Sequence, residues 1–150
     1  ALAAEEQQLT ASVSVNQLIS ITLTDAGTSG INFGSVIPPV TGVGDTDQSD
    51  GTPAVTGVVG SETNVNVDLG IKGNATGSLA LSNWKYCTTF AGTKTSLPAA
   101  YAAFDTNVAP GTSSPVYHWV DVPSGTAPGS QGCTVSYKAH QGSSHPKERK

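Results

Sequence analysis

The chain has 150 residues, a net charge of −4 at pH 7, and 37% hydrophobic but only 12% charged residues. Its 17 glycines and 9 prolines stand mainly between short apolar runs, which is typical of strands joined by turns in a single domain and not of helices. The negative balance argues against a nucleic-acid partner, which requires clustered Lys and Arg.

The first predicted element is unusually long. From Ala11 to Leu23, apolar side chains recur at alternate positions, interrupted by Gln17. An extended segment of this length would span roughly 43 Å, more than one small sandwich can cover. Either the segment bends near Asn16-Gln17 into two strands, or its first half projects beyond its own domain and buries its apolar face elsewhere.

Six further regions are predicted to be strands. They are residues 30–36, 54–59, 64–71, 78–90 (one or two strands), 116–122 and 133–139. Between them, residues 98–104 are compatible with one helical turn. The pattern predicts an all-β, antiparallel β-sandwich of seven to eight strands.

The N-terminus suggests export, and export affects how the two cysteines are interpreted. Ala1-Leu2-Ala3-Ala4 is similar to what remains near a small-residue signal-peptidase site, so we expect a secreted, extracellular protein. No apolar run approaches the roughly 18 residues that a membrane span requires. Cys87 and Cys133 are an even count in such a chain, and we expect a disulfide between them, with two free buried thiols as the alternative.

Three stretches of the sequence resemble a known family. They are Ile31-Asn32-Phe33-Gly34-Ser35-Val36-Ile37-Pro38, Gly60-Ser61-Glu62-Thr63-Asn64-Val65-Asn66-Val67, and Tyr117-His118-Trp119-Val120-Asp121-Val122-Pro123 before a Gly-rich turn. Over residues 10–140 the chain is similar to secreted archaeal surface proteins related to the TasA and camelysin family of biofilm fibres. The resemblance implies a jelly-roll-like sandwich that polymerises when the N-terminal strand of one subunit completes the sheet of its neighbour.

We interpret the long first segment as such a donor strand. Regular alternation lets one face fill a groove while the backbone pairs with exposed strand edges. The side chains predicted to face the neighbour are Ala11, Val13, Val15, Ile19 and Ile21. Residues 1–17 then form an N-terminal extension, 18–141 the sandwich domain and 142–150 a charged tail. The alternative is an ordinary long, bent strand within one domain.

Two polar motifs are candidate surface sites. Asn74-Ala75-Thr76 fits the glycosylation sequon, and the flanking glycines predict an exposed turn, so we expect Asn74 to carry a glycan. Asp45, Asp47 and Asp50 are weak calcium candidates, because their spacing does not match an EF-hand and a solvated acidic loop explains them as well.

No recognised catalytic motif is present in the sequence. The three histidines, His118, His140 and His145, do not form a His-Glu-x-x-His pattern, and no nucleophile comes with an identifiable base. We therefore expect a protein that is not an enzyme and that needs no cofactor or metal.

Three functions remain as hypotheses. The first is a structural subunit of a cell-surface filament, whose partners are other copies of itself and, beyond these, neighbouring filaments or cell-surface glycans. The second is a monomeric adhesin or carbohydrate-binding module. Its sugar-binding side chains would be exposed aromatic residues, namely Trp84, Trp119, Tyr101 or Tyr117. The third is a secreted metallopeptidase of the camelysin type.

Overall fold

A computed structural model describes residues 4–27 and 30–142 of the chain. The strands are β1 (Ile21–Asp25), β2 (Val40–Gly44), β3 (Val55–Val59), β4 (Val67–Ala75), β5 (Trp84–Cys87), β6 (Thr95–Ser96), β7 (Ala102–Val108), β8 (Ser113–Val122) and β9 (Cys133–Gln141). A single 3-10 turn, Leu81–Asn83, precedes β5. Within these ranges, none of the helical structure is long and apolar enough to cross a membrane. The predicted all-β class is confirmed.

The strands form two antiparallel sheets of unequal size. The larger sheet has six strands in the order β1-β3-β8-β5-β6, with β2 also pairing with β8, and the smaller sheet has three in the order β7-β4-β9. In the larger sheet, one half of β8 pairs with β3 and the other half with β2. In the smaller sheet, β9 pairs with β4 along its whole length. The described residues therefore contain nine strands, where seven to eight were predicted.

The core lies between the two sheets. Alternation places Leu69 and Ile71 of β4 opposite Val116 and Val120 of β8, and all four side chains are buried. Burial of one such side chain contributes about 1.5–3 kcal/mol, so these two strands provide much of the stabilisation. Ile71, Val116 and Val120 belong to one core cluster, which includes Trp84 of β5, and Leu69 belongs to a second, which includes Val59 of β3.

Two predicted elements are wrong. Residues 31–39 form an irregular segment instead of a strand, because Gly34 has a positive φ of 73° and Pro38-Pro39 cannot donate to a ladder. The predicted helical turn at 98–104 is also absent, since residues 102–108 form strand β7. Phe104 of β7 packs against the core and lies edge-on to Tyr137 of β9, with ring centroids 6.0 Å apart.

Candidate subunit interface: an exposed segment and an apolar groove

The N-terminal segment, residues 4–18, is extended and lies outside every described strand, and each of its side chains is exposed. Leu9, Val13 and Val15 are 99%, 85% and 78% exposed. Ala11 lies between them and is also exposed. These four residues occupy alternate positions and so share one face of an extended chain. An apolar face of this kind is a template for pairing with another chain.

The segment leaves the domain at a fixed point, the root, which comprises residues 18–20. The Leu18 N–H donates to Asn64 Oδ1 at 2.9 Å, and the Asn64 N–H donates back to the Leu18 carbonyl at 3.1 Å. Two residues later, the Ser20 N–H donates to Thr63 Oγ1 at 3.0 Å. Asn64 Nδ2 also donates to the Asn16 carbonyl at 2.9 Å, and Gln17 Nε2 donates to Gln141 Oε1 at 2.9 Å, so hydrogen bonds to the domain continue back to Asn16.

The second half of the predicted donor strand stays within its own subunit. Ile19 and Ile21 are half-buried and pack against the cluster that includes Val59 and Leu69. Ile21 also pairs with Val59, because β1 is the edge strand beside β3. The prediction that Ile19 and Ile21 face a neighbouring subunit is therefore wrong in this structure.

An apolar groove opens near the opposite end of the sandwich. Its volume is about 810 Å³, which lies within the range of pockets that hold ligands. The walls come from the irregular segment 31–38, from residues 126–135 and from the inner face of the larger sheet. Apolar side chains that line it are Phe33, Leu79, Trp84, Val120, Val122 and Val135.

The groove follows from the unequal sheets. Three strands cannot cover the inner face of six, and part of that face is left open beside β9. Among the described residues, β9 pairs with β4 on one side only, so it is an edge strand. Cys133 and Val135 of β9 line the groove. The groove therefore lies beside the free edge of the smaller sheet.

The root and the groove lie at opposite ends of the molecule. Ser113 of β8 lies near the root, because the neighbouring Thr112 bonds to Val59 and the Gly60 N–H bonds to Ser20. Val122, at the other end of β8, lines the groove. The ten residues of β8 separate these ends by roughly 30 Å.

The predicted disulfide is not formed, and both cysteines are free, half-buried thiols. Cys133 packs against the core between the sheets. Cys87 shares the face of β5 that carries Lys85, whose ammonium pairs with Asp121 at 3.4 Å on the outer side of the larger sheet. The larger sheet therefore lies between the two sulfur atoms, which is the physical reason that they do not bond.

The candidate glycosylation site is accessible. Asn74 and Thr76 are both exposed, and Asn74 is the penultimate residue of β4, opposite Thr134, instead of lying in a turn.

The acidic loop is held by its own backbone contacts. The Asp45 carboxylate is buried and accepts the N–H groups of Asn32 and Asp47, both at 2.8 Å. Asp47 and Asp50 are exposed. Over the described ranges, no three or more His, Cys, Asp or Glu side chains are grouped so that they could hold a metal ion.

The histidines have separate environments. His118 is buried, and its Nε2 lies 2.6 Å from the Tyr137 hydroxyl. Desolvation lowers the pKa of His118 to about 4. His140 is exposed on β9, and His145 lies outside the described residues, as do Lys147 and most of the predicted charged tail.

Most of the aromatic residues considered for sugar binding are buried. Trp84 lies in the core, and Tyr117 and Trp119 stack on each other with ring centroids 6.2 Å apart. Only Tyr101 of the four is exposed, and the ammonium groups of Lys72 and Lys138 lie 4.8 and 4.9 Å from its ring centroid. A sugar-binding platform of several exposed rings is therefore not formed by these four residues.

Comparison of the chain with protein-family models, with curated proteins and with solved structures found no match. The family resemblance remains a prediction from short motifs.

Proposed function

We propose that this protein is a structural subunit of an extracellular filament, in which residues 4–18 of one copy fill the apolar groove of the next. One observation carries the proposal: a single chain has an exposed apolar segment near one end and an unfilled apolar groove near the other. The segment adds a strand to the free edge of the smaller sheet, and the groove buries the apolar side chains of the segment.

The direction of insertion agrees with the rest of the fold. A segment that enters a neighbour's groove from its open end places Leu18 near the mouth and its N-terminal residues inside. From its N-terminus to Leu18, the inserted segment therefore runs towards the open end of the groove. Strand β9 runs in the opposite direction, because it begins near that open end at Cys133 and ends away from it at Gln141. The donated strand is thus antiparallel to β9, and every strand pair within the described residues is also antiparallel.

The alternation of the segment matches a groove with one apolar side. Leu9, Val13 and Val15 face the neighbour's core, while Ser12 and Ser14 face solvent. Burial of the three large side chains contributes about 4 to 9 kcal/mol before ordering costs. This is enough to join subunits, provided that the segment is ordered by strand pairing.

The separation of the two sites produces an open chain of subunits. A contact between different surfaces of two copies is heterologous, and repetition of it gives a filament unless the rotation closes a ring. The roughly 30 Å between the root and the groove favours insertion into a neighbour, since the segment leaves the domain at the far end.

Cysteine crosslinking tests the proposal, because Cys133 already lines the groove. Val13→Cys or Val15→Cys is introduced together with Cys87→Ser, and the assembled protein is oxidised mildly. We expect a ladder of covalent oligomers on a non-reducing gel. Ser14→Cys is the matched control, since it faces away from the groove and should crosslink poorly, and Cys133→Ser should abolish the ladder. A crosslink that forms only within single chains would contradict the proposal.

A further inference from the structure

A pair of exposed apolar side chains lies on one wall of the groove. Val36 and Ile37 belong to the irregular segment that forms one of its walls, and they are 38% and 85% exposed. We propose that Val36 and Ile37, on the wall of the groove, form a second contact between subunits, against Leu18 at the root of the inserted copy. This inference rests on the proposed insertion of residues 4–18.

The segment that carries the pair is held in place. The Asn32 N–H donates to the buried Asp45 carboxylate at 2.8 Å, and the Thr46 N–H donates to the Asn32 carbonyl at 2.7 Å. Phe33 packs on Trp84 with ring centroids 5.9 Å apart. An apolar pair on a held segment loses little conformational freedom when a partner covers it.

Leu18 is the matching residue on the other copy. It is 49% exposed, and its backbone is fixed on both sides by Asn64. Its position in the sequence is even, so it points away from the face that carries Val13 and Val15. Leu18 therefore does not face the neighbour's core together with Val13 and Val15, and the wall segment at Val36 and Ile37 is in position to cover it.

The two sites meet in a head-to-tail arrangement. Ile37 stands three residues before Val40, which pairs with Val122 at the groove end of β8. Leu18 is the exposed first residue of the root and therefore reaches the open end of the groove when the segment is inserted. Within one chain, Leu18 and Ile37 lie at opposite ends, so they meet only between copies.

Crosslinking again provides the test. Leu18→Cys and Ile37→Cys are combined in one chain, and Cys87→Ser and Cys133→Ser remove the two native thiols. We expect oxidised assemblies to give a ladder of many covalent steps. Either single variant alone offers one thiol per chain and gives dimers at most. In a separate measurement, Ile37→Asp should raise the critical concentration for assembly at least tenfold, whereas Ile37→Val should leave it nearly unchanged.

The outcomes separate this inference from the function on which it rests. If Val15→Cys crosslinks to Cys133 while the Leu18–Ile37 pair does not, and Ile37→Asp assembles normally, the second contact is overturned and strand insertion stands. If neither pair crosslinks between copies, both are overturned. A ladder from both pairs, with the shift in critical concentration, supports both.

Discussion

His118 Nε2 on β8 lies 2.6 Å from the Tyr137 hydroxyl on β9, and this hydrogen bond joins the two sheets through the core. His118 is only 1% exposed, so burial lowers its pKa to about 4, and burial also raises the pKa of Tyr137. Both side chains are therefore neutral at pH 7. A proton added to this imidazole would be a buried charge, and burial outweighs the backbone hydrogen bond at Lys85 that favours the protonated form.

Acid should destabilise the subunit through His118. Between the ordinary pKa of 6.5 and the folded value of about 4, the unfolded chain binds a proton that the folded chain does not. Stability present above pH 6.5 is therefore lost as the pH falls through this window, by up to about 3 kcal/mol. Urea unfolding at pH 7 and pH 4.5 measures the loss. His118→Gln should show a clearly smaller loss, and equal losses in the two proteins would exclude His118 as the cause.

The two halves of the first apolar segment should respond differently to a charge. Val15 is 78% exposed in the single subunit, so Val15→Asp should change the free energy of unfolding by no more than about 0.5 kcal/mol and yet prevent assembly. Ile21 packs in the subunit's own core, so Ile21→Asp should lower that free energy by about 2 kcal/mol or more. Denaturant unfolding together with electron microscopy measures both effects. Equal destabilisation by the two substitutions would contradict this division of the segment.

The cysteines should remain reduced after purification. Cys133 faces the core and Cys87 the outer side of the larger sheet, and burial raises the pKa of the Cys133 thiol. We expect an unreduced digest to release the two cysteine peptides separately. We also expect Cys133 in the free subunit to react with a maleimide and to lose much of that reactivity when the groove is filled. Recovery of a linked Cys87–Cys133 peptide would overturn this assignment.

Asn74 should carry a glycan in protein from its natural source, because the exposed Asn74 and Thr76 complete a sequon. Mass spectrometry of the peptide that contains Asn74 should show a mass above that of its sequence, and Asn74→Gln should remove the difference. Because the side chain lies on the outer face of the smaller sheet, the substitution should leave the fold intact. An unmodified Asn74 peptide from the protein in its natural source would disprove the prediction.

The strands that were predicted correctly from the sequence are those in which apolar and polar residues alternate clearly. Strands β4, β8 and β9 were found because apolar residues alternate along each of them. Strand β7 was missed because its region is rich in alanine, which favours a helix locally; the residues are Ala99, Ala100, Ala102 and Ala103. The side chain of Phe104 packs against the core, and this tertiary contact favours the strand. Local preference was overridden by tertiary contacts.

The candidate interface was predictable in part for the same reason. Exposure of Val13 and Val15 followed from the length of the alternating segment. The sequence did not predict the point at which the segment leaves the domain, because Leu18 is fixed there by the side chain of Asn64, which is far along the chain. The groove is also built from distant stretches, residues 31–38 and 126–135, which no local pattern brings together.

The most direct test is a chain that lacks residues 1–16, offered a peptide of residues 4–18. The truncated chain keeps its root and core, so it should be a folded monomer in sedimentation velocity. Trp84 lines the groove and should report one-to-one peptide binding by a change in fluorescence. The same peptide with Val13→Asp and Val15→Asp should not bind, because insertion would bury unpaired carboxylates. Filaments formed by the truncated chain, or equal binding of both peptides, would contradict assembly by strand insertion.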